Sequence, residues 1–187
     1  FGLYRLDLER SAIGAPVFEH PRVDIGMPVL GPGRQIFGVT YEDERPGIYW
    51  LDPGMQAIQD EVDNALPGRS NLFVSSNRDA SRFIVLTASG ADPGQYYLYQ
   101  VDPGVLSRIA SPREWLRGKD LSDVRPVSYR ARDGLTIPAY LTLPHDPQPG
   151  RLPALVLPPI TPAQRVSWSF DPWVQFLASR GYAVLQP

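Results

Sequence analysis

The sequence has no cysteine, and that single absence removes three chemistries together. Disulfide scaffolds, thiolate zinc sites and cysteine nucleophiles all need a sulfur that is not there. Histidine is scarce, with only His20 and His145, and two distant imidazoles without thiolates make a poor zinc site. No long apolar run exists. The best stretch, residues 152–160, is interrupted by Pro153, Pro158 and Pro159 and falls short of a membrane span. Nor is there an excess of positive charge. Eighteen Lys and Arg face 20 Asp and Glu, for a net charge of −2, which disfavours affinity built on neutralising phosphates. Lys119 is the one lysine among those basic residues, a bias of composition and not a phosphate-binding device. No segment has the pattern of a signal peptide, and because the sequence starts at Phe1 a true N-terminus is expected upstream.

What is present is 43% apolar and 20% charged over 187 residues, the composition of an ordinary globular protein with room for one good core or parts of two. Pro and Gly, 21 and 16 of them, fall between short β-like runs, as in many short strands joined by tight turns. The runs repeat. Gly2-Leu3-Tyr4-Arg5-Leu6-Asp7 matches Gly47-Ile48-Tyr49-Trp50-Leu51-Asp52, with a looser copy at residues 97–102. Residues 34–40 resemble residues 82–87. Asp-Pro-Gly at Asp52, Asp92 and Asp102 reads as a recurring turn. A period of roughly 40–50 residues with several strands per unit predicts β-propeller blades. About two blades fit before residue 110, so the C-terminal blades of a propeller are expected rather than a closed ring. Ile58, Val62, Ala65 and Leu66 have helical spacing, which predicts a helix over 57–66 ended by Pro67-Gly68.

Beyond a polar stretch at 118–125 the pattern changes. Asp133-Gly134 between two β runs predicts a hairpin with a type I′ turn. Residues 154–157 read as a strand buried on both faces of a parallel sheet. Asp171 then looks like an N-cap with Pro172 at the first helical position, Val174, Phe176, Leu177 and Ala178 as the buried face, and Gly181 as the terminator. Residues 182–185 supply a second strand, completing a βαβ crossover.

The run Tyr129-Arg130-Ala131-Arg132-Asp133-Gly134-Leu135-Thr136-Ile137-Pro138-Ala139-Tyr140-Leu141-Thr142-Leu143-Pro144 resembles the entry into the hydrolase domain of the prolyl oligopeptidase family. Residues 170–187, from Phe170-Asp171-Pro172-Trp173 to Val184-Leu185-Gln186-Pro187, resemble its dipeptidyl aminopeptidase/acylaminoacyl-peptidase branch more specifically still. The resemblance implies the last blades of a β-propeller over 1–124 and the start of an α/β-hydrolase domain over 125–187. It also implies a serine peptidase with a Ser-Asp-His triad, cleaving short peptides through an acyl-enzyme. In that family the nucleophile elbow G-x-S-x-G, the Asp and the His follow in that order, all further along than Pro187. The chain is therefore expected to be a fragment, inactive by itself. No cofactor and no metal are implied. The partners implied are a short peptide substrate, with no nucleic acid and no membrane, and a homo-oligomer of the parent is compatible. The compartment is open, with the cytoplasm favoured.

The residues themselves hold no triad. Nothing matches G-x-S-x-G; Gly68-Arg69-Ser70-Asn71-Leu72 lacks the second Gly, and Ser70 reads as a surface-loop serine. Ser167 and Ser169 read as capping or loop serines. His20 and His145 lie in proline-flanked loops, and the acidic group Glu42, Asp43 and Glu44 reads as a solvated turn. Tyr96, Tyr97 and Tyr99 read as strand packing. One departure from the family matters most. Where the family carries a His-Gly-Gly-Pro type loop that helps build the oxyanion hole, this sequence has Pro159, Ile160, Thr161 and Pro162. Pro159 has no N–H to donate, and Ile160 and Thr161, being β-branched, take positive φ only at a cost. Two readings follow: a peptidase with a repositioned oxyanion donor, or a degenerate relative that binds peptides or proteins without cleaving them. A self-contained carbohydrate-binding β domain explains the tyrosines but not the βαβ unit.

Overall fold

A computed structural model describes residues 2–146, 150–161 and 164–187. Among these, the chain forms four sheets and two α-helices. β1 (Gly2–Asp7) and β2 (Ala12–Glu19) make an antiparallel pair. β3 (Ile25–Leu30), β4 (Ile36–Glu42) and β5 (Pro46–Trp50) make a three-stranded antiparallel sheet, followed by α1 (Pro53–Ala65). β6 (Ser70–Ser76), β7 (Arg82–Ser89), β8 (Asp92–Gln100) and β9 (Val105–Ala110) form a four-stranded meander. β10 (Val124–Arg130), β11 (Thr136–Thr142), β12 (Ala154–Val156) and β13 (Ala183–Gln186), with α2 (Pro172–Ser179) between the last two, complete the chain.

The sequence repeat has a structural counterpart. Its two elements form the hairpins β4–β5 and β7–β8. The meander adds β9 to its copy, whereas the earlier copy is followed by α1 in place of a fourth strand. The helix starts four residues earlier than its apolar spacing predicts, at Pro53 and not at 57. Asp52 is its N-cap, accepting from Met55 N at 2.9 Å, so Asp52-Pro53-Gly54 is a helix start and not a turn. The same Asp and Pro serve either purpose; what decides is the face that follows, where Met55, Gln59 and Val62 are buried at i, i+4 and i+7. Asp92 likewise opens a strand, its carboxylate accepting from Gly94 N at 2.9 Å. Asp102-Pro103-Gly104 is the true turn, joining β8 to β9 with Gly104 at φ +77°.

α1 closes a core of Trp50, Met55, Val62, Phe73, Phe83, Val85 and Tyr99. Phe73 meets Trp50 and Phe83 edge-on, with ring centroids 5.7 and 5.3 Å apart, the geometry aromatic quadrupoles favour. Several polar atoms beside it are partnered, though Asn71 Oδ1 and Thr87 Oγ1 are buried without a hydrogen bond. Trp50 Nε1 donates to Gln59 Oε1 at 3.2 Å, Gln59 Nε2 donates to Asn71 O at 3.0 Å, and Tyr99 donates its hydroxyl proton to Glu61 on α1. Burial together with that carboxylate pushes the Tyr99 pKa up to about 12.

The mixed sheet has the order β10-β11-β13-β12, with β12 parallel to β13 across α2. The β10–β11 hairpin forms as expected, but by a different turn. Asp133 is not among the positive-φ residues, Gly134 is at φ +87°, and Gly134 N donates to Ala131 O at 3.0 Å. A three-residue loop with a left-handed glycine serves the same strand twist as a type I′ turn. α2 has the expected cap, Asp171 accepting from Trp173 N and Val174 N at 2.8 and 3.2 Å, and ends at Gly181 with φ +90°. Its buried face is Val174, Gln175 and Ala178, while Phe176 is 50% exposed. A 100° step per residue puts position 176 about 150° from the centre of the face through 171, 174, 175 and 178, on its far side. β12 is an edge strand with Ala154 and Val156 exposed, so it is not covered on both sides as its composition predicts.

Candidate functional site

A cleft of about 810 Å³ opens between the β3–β5 sheet and the mixed sheet. Arg22, Asp43 and Glu44 form one wall; Val127, Thr136, Pro138 and Tyr140 of β10 and β11 form another; Gln164, Arg165, Gln186 and Pro187 complete it. Strand pairing places the acidic residues there. Glu42 pairs with Pro46 across β4 and β5, which leaves Asp43, Glu44 and Arg45 as the hairpin tip. The tip is docked at Asp43, while the Glu44 side chain is 65% exposed. Asp43 is ion-paired with Arg22 and its side chain is only 18% exposed. Its backbone C=O accepts from Arg165, and the Glu44 C=O accepts from Tyr140 Oη at 2.9 Å. Trp168 N donates to Glu42 Oε1 at 3.2 Å, and the Arg45 guanidinium lies 4.3 Å from the centre of the Trp168 ring. Burial, then the neighbouring Glu42 charge, holds the Tyr140 pKa above its ordinary value, against the opposing effect of Arg165.

A second seam lies where α2 meets the β7–β8 turn. Gln175 Nε2 donates to Gly90 O at 2.9 Å and to Ser122 O at 2.8 Å, and Ser122 N donates back to Gln175 Oε1 at 2.9 Å. Gly90 packs so closely on Val124 that a Cβ there would overlap the valine side chain and stand 3.2 Å from its backbone N. These hydrogen-bond partners are 53 and 85 residues apart in sequence, so no local pattern points to them. The one sequence signal is a glutamine at a core position of an otherwise apolar helix face.

The residues singled out from sequence fall elsewhere. Pro159, Ile160 and Thr161 follow β12 and do not line the cleft; Ile160 is 93% exposed. Neither Ile160 nor Thr161 takes positive φ, in keeping with their branched Cβ. Pro162 lies outside the described residues. Ser70 is not a surface-loop serine. It is buried at the start of β6, its Oγ donating to Pro46 O at 2.9 Å. Asp171 caps α2, and not Ser167 or Ser169. His20 stacks on Tyr41 with centroids 4.9 Å apart, its Nδ1 accepting from Arg22 N at 3.4 Å; His145 is exposed after β11. Among the described residues no three His, Asp or Glu side chains group to hold a metal ion, and no helix is long and apolar enough to cross a membrane. The cleft offers carboxylates, guanidiniums and a phenol for binding, and among the described residues that line it no nucleophile stands beside a base.

No protein-family model matches the chain. Over 177 residues, 90% of its length, it is 29% identical to dipeptidyl aminopeptidase BIII of Pseudoxanthomonas mexicana, covering 26% of that protein. Its fold is similar to dipeptidyl peptidase 4 of Porphyromonas gingivalis, with a TM-score of 0.63 and 18% identity over 98% of this chain and 26% of that one. A structure from a study of two prolyl endopeptidases gives a TM-score of 0.64 and 15% identity over 98% of this chain and 27% of that one. The chain spans about a quarter of the length of the curated relatives it matches. In sequence the chain is thus similar to a dipeptidyl aminopeptidase, and in fold to peptidases of the dipeptidyl peptidase and prolyl endopeptidase type.

Proposed function

We propose that the chain is part of a serine-type peptidase acting on short peptides, with residues 1–124 as the last blades of a propeller and 125–187 as the opening elements of an α/β-hydrolase domain. The observation that carries this is the 29% identity to a dipeptidyl aminopeptidase over nine-tenths of the chain. Two local features support the division. Residues 2–110 form antiparallel sheets built on a repeated hairpin, and β12–α2–β13 is a parallel βαβ unit. In this reading the nucleophile, base and orienting acid lie beyond residue 187. The base takes the serine proton as the hydroxyl attacks the peptide carbonyl, the amine leaves with that proton, and water hydrolyses the acyl-enzyme.

A second reading rests on the loop after β12. A proline without an N–H stands at the histidine position, and two branched residues without positive φ replace the two glycines, of the expected oxyanion loop. Losing one oxyanion donor costs on the order of 10²–10³ in turnover, enough to leave a peptide-binding relative that no longer cleaves. Fluorophosphonate labelling of the full-length protein separates the two, run on the wild type and on the triple variant Pro159→His, Ile160→Gly, Thr161→Gly. Labelling and peptide turnover by the wild type are expected, with none in residues 1–187 alone. Labelling only after the glycines are restored would overturn the enzyme in favour of the binder.

A further inference from the structure

The hairpin tip of β4–β5 does more than connect two strands. Upstream, the loop carrying Pro159, Ile160 and Thr161 is held where Leu157 N donates to Leu185 O at 2.8 Å. Downstream it is anchored first at Arg165, which donates to Asp43 O on the hairpin tip, and then at Trp168, which is 3% exposed and whose Nε1 donates to Val124 O at 2.8 Å. Between these anchors the turn Gln164 N to Thr161 O, at 3.0 Å, is the backbone bond recorded among the described residues. Among the described residues, the arm from Gln164 to Trp168 is therefore placed by its contacts with the β4–β5 tip and with Val124. Burial fixes the indole ring, but it leaves the backbone free to rotate about Cα–Cβ. The Glu42 carboxylate removes that freedom by accepting from Trp168 N at 3.2 Å, a charge-assisted bond stronger than a neutral one. Arg45, over the opposite feature of the same residue, holds the ring face at 4.3 Å.

We propose that Glu42 and Arg45 are positioning residues: from the first half of the chain they set the backbone at Trp168 and, through it, the path of the loop that carries the candidate oxyanion positions. The proposal rests on the assignment of residues 159–161 to that loop. It makes the β3–β5 sheet part of the site's geometry and not merely its cover.

The test uses the full-length protein with Glu42→Ala, Glu42→Gln and Arg45→Ala. Glutamine keeps an Oε1 that can accept from Trp168 N, and alanine does not. Glu42→Ala is expected to lower kcat and the fluorophosphonate labelling rate about tenfold with KM within about twofold, and to speed amide exchange at Trp168 about tenfold. Glu42→Gln is expected to stay near wild type in all three, and the melting temperature to be shared by all. Unchanged labelling in Glu42→Ala overturns the proposal, as does equal impairment of Glu42→Ala and Glu42→Gln. A fall in labelling without faster exchange also overturns it, because the effect then does not pass through the loop. If the wild type is not labelled at all, the peptidase reading fails separately. Exchange at Trp168 then decides alone: faster only in the alanine variant supports the positioning role, and unchanged overturns it.

Discussion

Two seams join the first half of the molecule to the last sheet, and they are built from opposite chemistry. At Gly90, Ser122 and Gln175 every partner is neutral and buried, and one amide satisfies two carbonyls and an N–H. At Glu42–Arg45 the partners are a carboxylate, two backbone carbonyls, a phenol and guanidiniums, on a tip still reached by water. The neutral seam is costly to break because nothing replaces the lost partners in a dry site. The charged seam is cheap to break, since water can take over, but its directional bonds fix geometry. Stability belongs to the first and placement to the second.

The sharpest break is Gln175→Ala, which strands the Gly90 and Ser122 backbone groups without partners. A loss of about 2–4 kcal/mol is expected in urea unfolding of the full-length protein. Gly90→Ala comes next, at about 1–3 kcal/mol from overpacking against Val124, and Val124→Ala in the same protein is expected to return part of the loss. If the double variant is no better than the single, crowding at Val124 is not the cause.

Titration separates the seams because the neutral one holds no ionisable group. Tyr140 has its pKa raised above the ordinary 10.0, so the folded state binds its proton more tightly than the unfolded chain. Its contribution is fully present below pH 10 and is lost as pH rises through the raised value. Tyr140→Phe is expected to flatten that part of the alkaline decline, at a cost of about 1 kcal/mol at neutral pH for the hydrogen bond to Glu44. Tyr99, raised to about 12, declines over pH 10–12 on its own account, and Tyr99→Phe measures that share. The smallest effect is Arg22→Ala. Arg22 is 65% exposed, so the loss is expected at about 0.5 kcal/mol or less and to vanish in high salt. The Gln175→Ala penalty is expected to be the same at both ionic strengths.

How far these features can be read from sequence depends on how local their causes are. The α2 cap at Asp171, its stop at Gly181 and the Asp133-Gly134 hairpin are set by residues within a turn of each other, and all three are legible. The repeat at 34–40 and 82–87 finds the two hairpins because strand pairing there is also local. The docked acidic tip is not legible. Glu42, Asp43 and Glu44 look like a solvated turn until Arg22, Tyr140, Arg165 and Trp168 are brought to them by the fold. The face of α2 was half legible: apolar spacing finds Val174 and Ala178, but a glutamine is taken as polar surface unless its three partners are known. Ser70 fails for the same reason, its acceptor being the carbonyl of Pro46 on the neighbouring sheet.

The distance in sequence between Glu42 and Trp168 has a consequence for biosynthesis. They are 126 residues apart, so at roughly 5–20 residues per second the carboxylate leaves the ribosome about 6–25 s before its donor. During that wait the nascent hairpin tip presents Glu42, Asp43, Glu44 and Arg45, groups that water solvates well and that offer chaperones and other nascent chains little to hold. The apolar member of the contact, Trp168, is made last, when the surface that buries it already exists. Putting the charge on the early partner and the indole on the late one lets the two halves wait for each other without sticking to anything else.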